Sequence, residues 1–251
     1  MDFAVLAFVC GMGFVGSFID SVVGGGGLIT IPALMCTGIS PLQVLGTNKG
    51  AAVIGAATGF YAFVKSGKVD GGLIKKLFPI SFLGSAAGVL VVRQVPPDFL
   101  RPLVVVLLIA VLLYSLFKKK WGDESTYAGL TQKMFLLSCV AAFVFGFYDG
   151  FFGPGTGSFL LFAFLTIGFD FVGAAANARS LNFASNLAAA ILFGLTGAID
   201  FSLAIPMGAS CALGAYMGAR MAISKGAGYV RPLFIIVTTV LIGKQIWDLL
   251  K

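Results

Sequence analysis

Hydrophobic residues fill long stretches of this chain, and only short polar or glycine-rich segments separate them. An α-helix needs about 17–25 apolar residues to cross the roughly 30 Å hydrocarbon core of a bilayer. Eight stretches reach that length and predict transmembrane helices, whereas 27–37 and 156–168 are too short to span. The apolar stretches are 3–22, 27–37, 42–65, 72–92, 99–118, 131–149, 156–168, 171–198, 200–222 and 229–250.

Composition strengthens this prediction. Of the 251 residues, 59% are hydrophobic and 11% are charged, and the mean hydropathy is +1.01. A soluble domain carries about 25% charged residues. We therefore expect an all-α polytopic membrane protein with no soluble domain between its helices. The net charge of +7 then indicates cytoplasmic loop lysines and arginines rather than a nucleic-acid surface.

The chain contains no histidine, which excludes His-ligated haem, the usual zinc sites and Ser–His or Cys–His catalytic pairs. Its cysteines lie in apolar stretches without CxxC spacing, which predicts buried thiols rather than disulfides or iron–sulfur clusters. We expect a protein without metal, cofactor or enzymatic activity. The cysteines are Cys10, Cys36, Cys139 and Cys211.

Each short apolar stretch follows a glycine-rich break, Gly24–Gly27 in the first case and GPGTG at 153–157 in the second. The longest polar segment, KKKWGDESTYAGLTQK at 118–133, lies near the middle of the chain. It predicts a linker between two halves. The predicted organisation is a first membrane half at 1–120, a cytoplasmic linker at 121–132 and a second membrane half at 133–251.

The two halves resemble each other as repeats. Matching residues recur at an offset of 130 and, beyond a one-residue gap, of 129. We expect two homologous repeats, each with a glycine-broken helix hairpin plus three transmembrane helices, about eight in all. The matches are Gly67 and Asp70 with Gly197 and Asp200, Gly84 and Gly88 with Gly214 and Gly218, RPL at 101–103 with 231–233, and Cys10, Asp20 and Gly24 with Cys139, Asp149 and Gly153.

Basic residues of short loops mark the cytoplasmic side of a membrane protein. Lys65, Lys68, Lys75 and Lys76 flank one loop of the first half and predict that it is cytoplasmic, as is the linker. The equivalent loop of the second half, 197–201, has no basic residue, and the basic residues occur in the next loop instead. This exchange favours inverted repeats. A parallel arrangement of the repeats stays open, because a few lysines near the C-terminus favour the opposite orientation of the second half.

Inverted repeats with broken helices are typical of secondary transporters, whose sites lie near the bilayer midplane. The short helices would direct N–H groups and positive dipole ends into a cavity, which suits an anion. Alternatively, the glycines only permit close helix crossing, which is the better interpretation for the two GxxxG pairs. The candidate substrate-binding residues at the breaks are Gly25, Gly26, Gly27, Gly155, Thr156 and Gly157.

Asp20 and Asp149 are repeat-equivalent acids, each four residues before its glycine break. A carboxylate in hydrocarbon is costly, so each should be protonated, paired or in contact with water. We consider both as proton- or ion-coupling residues. The alternative is that they anchor the broken loops as structural caps.

Polar residues in the next long helix of each half complete the candidate site. Lys49 and Arg179 correspond at the 130 offset. They would supply positive charge for an anion, neutralise the two aspartates, or snorkel to the membrane interface. Asn48, Asn182 and Asn186 would hydrogen-bond the oxygens of a substrate or, alternatively, join helix to helix.

Two stretches of the chain resemble the signatures of the TauE/SafE sulfite exporter family of permeases. They are GSFIDSVVGGGGLITIPALMCTGISPLQVLGTNKGAA at 16–52 and GFYDGFFGPGTGSFLLFAF at 146–164 with the following NARSLNFASNLAAAILFG. The resemblance covers essentially the whole chain. It implies a secondary transporter of sulfite, sulfoacetate or related small anions in the bacterial inner membrane. The residues that match are Asp20, Gly24–Gly27, Thr47, Asn48, Asp149, Gly153 and Gly155.

The leading expectation is a proton-coupled carrier of a small sulfur-containing anion, working by alternating access between its halves. Protons are favoured over sodium because one protonatable acid in each half suffices. A passive anion channel is an alternative, and the GxxxG motifs are compatible with a homo-oligomer. Tyr148-Asp149 also matches the YD of intramembrane aspartyl proteases, but the partner GxGD motif is missing, since Phe18-Ile19 precede Asp20.

Overall fold

The computed structural model describes residues 3–92, 94, 122–129 and 131–249, and its regular structure there is α-helical. The apolar stretch 99–118 lies outside the described residues. The described helices are α1 (Phe3–Val23), α2 (Gly27–Met35), α3 (Pro41–Lys65), α4 (Gly71–Val92), α5 (Gln132–Phe151), α6 (Thr156–Thr166), α7 (Phe171–Leu195), α8 (Phe201–Lys225) and α9 (Ala227–Leu249).

Helix lengths agree with a polytopic membrane protein. Among the described helices, α1, α4, α5 and α8 are long and apolar enough to cross a bilayer. Helices α3 and α7 each have 25 residues and carry buried polar side chains within their first two thirds. Helices α2 and α6 have 9 and 11 residues. The prediction that these two apolar stretches are too short to span is therefore confirmed.

Local sequence explains where several helices begin. Ser40 and Gln43 form a reciprocal capping box at the start of α3, and Pro41 occupies its first turn. Asp170 and Asp200 cap α7 and α8 by accepting hydrogen bonds from backbone N–H groups two or three residues further along. These side chains satisfy amide groups that a helix start leaves without a partner.

Helices α1, α3 and α8 run side by side in the same direction. Gly13 of α1 contacts Met207 of α8, and further along the pair Gly218 lies against Phe18. Gly55 of α3 packs in the same way against Cys211. These three helices therefore form one group.

Helices α4, α5 and α7 form the second group, also with a common direction. Ser81 and Ser85 of α4 donate hydrogen bonds to the carbonyl oxygens of Leu181 and Ser185 of α7, at 3.1 and 2.6 Å. The two groups run in opposite directions, because α3 and α7 are antiparallel. Gly46 lies beside Ala198, whereas Gly59, further along α3, lies beside Arg179.

The GxxxG motifs lie where helices approach most closely. A methyl group added at any of their glycines would overlap backbone atoms of the neighbouring helix. The sequence interpretation of these glycines as helix-packing residues is thereby confirmed. Gly84 and Gly88 of α4 face the carbonyl oxygens of Phe143 and Phe147 of α5, and Gly214 and Gly218 of α8 face those of Phe14 and Phe18 of α1.

One end of the helix bundle is basic. The ammonium group of Lys76 lies 5.4 Å from the ring centre of Phe135, and Arg231 forms a 3.0 Å ion pair with Asp123. The loops at the opposite end, 36–40 and 196–200, contain no basic residue. The described basic residues at the basic end are Lys65, Lys68, Lys75, Lys76, Lys133, Arg220, Lys225 and Arg231.

The described part of the linker packs against the same end. The Thr126 N–H donates to the Gly168 carbonyl at 2.8 Å, and the Tyr127 ring stacks on Phe169 with ring centres 4.1 Å apart. Burial and, after it, the neighbouring Asp70 carboxylate raise the pKa of Tyr127 above its ordinary value. Residues 122–129 are therefore held against the α6–α7 loop.

The cysteines are all free thiols. Cys211 is buried, and Cys10 and Cys139 are half-buried. The expectation of a buried thiol is wrong for Cys36, which is exposed. Helix α2 ends at Met35, so this residue lies in the turn that follows rather than inside the bundle.

Adding a methyl group at Gly88 should separate α4 from α5, because it would overlap the carbonyl oxygen of Phe147. We expect Gly88→Ala to cost about 1–3 kcal/mol of stability, as overpacking does. Gly11→Ala in α1 is the matched control, because a methyl group there meets nothing within 4 Å. Its melting temperature in detergent should equal or exceed that of the original protein. Equal melting temperatures for the two variants would contradict the close packing of α4 on α5.

Candidate functional site

The tips of the two broken hairpins meet inside the bundle. Helices α1 and α2 form one hairpin, and α5 and α6 form the other. A methyl group at Gly157 would lie 2.6 Å from the Cα atom of Gly24, so only glycine allows this approach. The Ser158 hydroxyl donates to the carbonyl oxygen of Val23 at 2.9 Å. Backbone that leaves the helical pattern is thus enclosed by protein, as membrane depth requires.

A buried ion pair joins α3 to the tip of the second hairpin. The Lys49 ammonium lies 2.8 Å from Oδ1 of Asp149, and the two side chains are 4% and 2% exposed. The Ser185 hydroxyl donates to the other carboxylate oxygen at 2.6 Å. A methyl group at Gly153 would be 3.0 Å from the ammonium nitrogen, so this glycine leaves the space that Lys49 occupies.

A second ion pair joins α7 to the tip of the first hairpin. The Arg179 guanidinium donates to Oδ2 of Asp20 and, at 2.5 Å, to the hydroxyl of Ser21. The other Asp20 oxygen accepts the Gly26 N–H at 3.0 Å. Asp20 is 20% exposed and Arg179 is 3% exposed. The first carboxylate is therefore held by a guanidinium and by the start of α2 together.

The two pairs cross between the halves of the chain. Each acid lies at a hairpin tip of one half, and each base lies on the long third helix of the other half. Of the three alternatives for Lys49 and Arg179, snorkelling is wrong, because both side chains are buried. Both bases neutralise the aspartates instead. A single charge at this depth would be very costly, which explains the pairing.

A small cavity of about 40 Å³ lies beside the pairs. It brings together nine of the predicted residues. Its wall also includes residues that the sequence did not indicate, among them Ser17, Thr30 and Cys211. The predicted residues that line it are Asp20, Gly26, Gly27, Asn48, Lys49, Asp149, Gly157, Asn182 and Asn186, of which the two aspartates were predicted as coupling residues.

Hydrogen bonds occupy part of the polar lining. The Thr30 hydroxyl donates to the side-chain oxygen of Asn48 at 2.6 Å. The Asn186 amide donates to the backbone carbonyl of Asn182 at 2.7 Å, whereas the side-chain oxygen of Asn182 accepts from Arg179 at 3.2 Å. Asn48, Asn182 and Asn186 thus line the cavity and also form hydrogen bonds with neighbouring groups.

Four predicted residues are not among those that line this cavity in the described part of the chain. Gly25 and Gly155 turn the backbone, with φ values of +90° and +88°. The Thr156 hydroxyl donates to the Gly153 carbonyl at 2.8 Å. Arg179 lies behind Asp20, on a smaller neighbouring cavity.

Gly59 is a further residue that sequence reasoning missed. A methyl group there would lie 2.8 Å from Nε of Arg179 and 3.0 Å from the hydroxyl of Ser21. The absence of a side chain at this turn of α3 therefore makes room for the second ion pair. No pattern within one half indicates this, because the contact joins α3 to α7.

Residues 9–244 match the family model described as sulfite exporter TauE/SafE. The chain belongs to this family. The resemblance inferred from the two signatures is thereby confirmed, and it extends over nearly the whole chain. No solved structure gives a significant match.

Relatives of this TauE/SafE member have names that point to transport. A probable membrane transporter protein of Haemophilus influenzae is 42% identical, covering 99% of this chain and 98% of the relative. The probable membrane transporter protein ORF9 of Sinorhizobium sp is 40% identical, with 99% and 95% covered. YfcA of Escherichia coli K12, also named a probable membrane transporter, is 40% identical, with 97% and 89% covered. Family and relatives indicate a membrane transporter rather than an enzyme.

Removing one partner of the Lys49–Asp149 pair should be far more damaging than removing both. Lys49→Met leaves a buried carboxylate without its cation, and Asp149→Asn leaves a buried ammonium, each at a cost of about 3–5 kcal/mol. The double variant should lose much less than the sum, as judged by thermal unfolding in detergent. The exposed pair Arg231–Asp123 is the control, with an expected coupling below about 1 kcal/mol. Additive losses at Lys49 and Asp149 would contradict a buried pair.

Proposed function

We propose that this TauE/SafE transporter carries a small sulfur-containing anion, such as sulfite, sulfoacetate or another organosulfonate, coupled to protons. The observation that carries the proposal is the pair of crossed ion pairs at the hairpin tips beside a small polar cavity. Lys49 and Arg179 supply positive charge there that could bind an anion, but each is already neutralised by a carboxylate. Substrate and proton are therefore expected to bind together.

The two halves are proposed to be inverted repeats. Helices α3 and α7 occupy equivalent positions in sequence and run in opposite directions. Equivalent residues also make equivalent contacts with the roles of the halves exchanged. The Asp70 N–H donates to the Asn177 side chain at 3.0 Å, and the Asp200 N–H donates to the Thr47 hydroxyl at 3.0 Å. This exchange supports the proposed domain division at 1–120, 121–132 and 133–251.

Sidedness follows from the basic end of the bundle. Loops rich in lysine and arginine stay on the cytoplasmic side. We place the basic end and the linker in the cytoplasm, and we place the protein in the bacterial inner membrane, as the family resemblance implies. The loops 36–40 and 196–200 then face the opposite side.

An anion can use Lys49 only if the charge of Asp149 is removed at the same time. Both side chains line the cavity, and the pair as it stands is electrically neutral. An anion that entered alone would bring an unpaired buried charge, which is unfavourable. If Asp149 takes up a proton as the anion binds, Lys49 exchanges one negative partner for another. One proton then accompanies each negative charge.

Asp149 is proposed as the proton carrier in preference to Asp20. Asp20 is held by Arg179, whose guanidinium does not lose its proton in proteins, and by the Gly26 N–H at a positive helix end. These partners hold the Asp20 side chain in a fixed position at the start of α2. Asp149 has the more mobile ammonium of Lys49 as its cation. Asp20 is then an anchor of the broken loop. Of the two acids that the sequence analysis considered as coupling residues, the proposal keeps only Asp149 in that role.

The other functions considered have less support. A passive anion channel needs cations that stay available to the ion, whereas Lys49 and Arg179 are each paired with an acid. An aspartyl protease needs two carboxylates that share a proton. Asp20 and Asp149 have different basic partners instead. Glycine breaks at crossed tips suit alternating access, in which one repeat moves against the other.

A sulfur-containing anion should raise the thermal stability of the purified protein. At a hundredfold excess over Kd, a selective ligand adds about 2.7 kcal/mol. The panel is sulfite, thiosulfate, sulfoacetate, taurine and sulfate, with chloride and acetate as controls. We expect a shift with at least one sulfur anion, larger at acidic pH, that Lys49→Ala abolishes. The absence of a shift with every sulfur anion would contradict the proposed substrate class.

Asp149→Asn should separate proton coupling from substrate movement. In proteoliposomes, uptake driven by a pH gradient should disappear, while counterflow exchange of the anion selected above should remain. Asp149→Asn and Asp20→Asn should both be less stable than the original protein, but Asp20→Asn should reduce counterflow exchange as well as gradient-driven uptake, because it releases the broken loop. Asp200→Asn is the control: its amide oxygen can still cap α8, so this variant should transport normally. Gradient-driven accumulation by Asp149→Asn would overturn the assignment of the proton carrier.

A further inference from the structure

A second pocket lies at the basic end of the bundle, between the last turns of α3 and α8. Its volume is about 590 Å³, and it opens at the surface of the protein. The two helices that form it belong to different halves and run in the same direction. The residues that give it its chemistry are Tyr61, Lys65, Ser66, Tyr216, Arg220 and Ser224.

The charge of this pocket is positive and unopposed. Lys65 and Arg220 both line it, and no acidic residue is among the described residues of its wall. Neither base forms an ion pair with a described acidic side chain. The hydroxyl groups of Ser66 and Ser224 add hydrogen-bond donors. Such a set suits a phosphate group, which accepts hydrogen bonds at several oxygens.

One of the two cations is held in place by an aromatic ring. The central carbon of the Arg220 guanidinium lies 5.3 Å from the ring centre of Tyr216, a cation–π distance. A guanidinium stacked on a ring keeps its N–H edges available to an anion. Arg220 is therefore oriented before any ligand arrives.

The membrane side of the pocket is aromatic and then apolar. Tyr61 and Tyr216 lie about one turn from Lys65 and Arg220 toward the bilayer, and they are 62% and 40% exposed. Tyrosine at this level is typical of the interface between headgroups and acyl chains. About one turn further from the basic end, the exposed side chain of Leu213 continues the surface with an apolar group, and the exposed side chain of Met217 adds another beside Tyr216. A ligand with a phosphate at one end and hydrocarbon at the other fits this order.

We propose that this pocket binds the headgroup of an anionic phospholipid, with the phosphate between Lys65 and Arg220 and the acyl chains along the α3–α8 surface. A free anion would match the two cations but would leave the exposed tyrosines and the apolar surface without a partner. Basic pockets between transmembrane helices on the cytoplasmic side are a known way to bind such lipids. The lipid would join one helix of each half at the membrane surface.

The test compares lipids by the thermal stability of the full chain in a mild detergent. Dioleoylphosphatidylglycerol should raise the melting temperature at lower concentration than dioleoylphosphatidylcholine, which has the same chains and no net charge. Inorganic phosphate at equal concentration should have no effect. Equal effects of the two lipids, or an effect of phosphate alone, would overturn the proposal, the latter in favour of a free-anion site.

Variants locate the effect. Lys65→Gln with Arg220→Gln should weaken the phosphatidylglycerol effect about thirtyfold in apparent affinity, since each basic residue near the surface contributes roughly fivefold. Lys68→Gln with Lys133→Gln removes the same charge from the same end, outside the pocket, and should change it little. Equal weakening by both double variants would show diffuse surface attraction and overturn the site.

A charge-preserving variant keeps the test decisive if the first double variant folds poorly. Arg220→Lys retains the charge but loses the bidentate geometry and the stacking on Tyr216. It should weaken phosphatidylglycerol binding several-fold, as counted by native mass spectrometry of retained lipid. Unchanged lipid retention in Arg220→Lys would exclude the oriented guanidinium as a determinant of binding and contradict the proposed geometry.

Discussion

Charge neutrality at membrane depth is the constraint on which this structure depends. Two acids and two bases lie inside the helix bundle, where an unpaired charge is very costly. Each acid pairs with a base from the other half of the chain. Neither half is electrically complete at its hairpin tip without the other. The crossed pairs therefore determine how the tips meet, and small residues such as Gly59 and Gly153 supply the space that the long basic side chains need.

The same constraint connects stability with transport. A pair that held both charges permanently would stabilise one arrangement of the tips and leave nothing to bind an anion. A site without acids would hold two unpaired cations between transport events. In the proposed mechanism the Asp149 carboxylate takes the place of the substrate between transport events, so that Lys49 always has a negative partner. The hydrogen bond from Ser185 to Asp149 orients this carboxylate.

Much of the fold could be predicted from the sequence because it depends on local patterns. Apolar length separated the spanning helices from the short α2 and α6, and glycine spacing marked α4 and α8 as helices with a closely packed face, without indicating which helices they contact. Spacing also identified the four charged residues of the two ion pairs. It could not tell which acid pairs with which base, because that depends on how the halves cross. For the same reason the lining positions of Ser17, Thr30 and Cys211 carried no sequence signal, since each looks like an ordinary small residue of an apolar helix.

The two repeats differ in the basic residue that each contributes to an ion pair. Position 49 has a lysine, and its equivalent at 179 has an arginine. The planar guanidinium of Arg179 reaches Asp20, Ser21 and Asn182 at once, so moving it would break several bonds together. The Lys49 ammonium is a point charge on a flexible stem and can change partners with little rearrangement. We therefore propose different roles for the two equivalent positions, with the arginine pair as the fixed support and the lysine pair as the one that exchanges its carboxylate for the substrate.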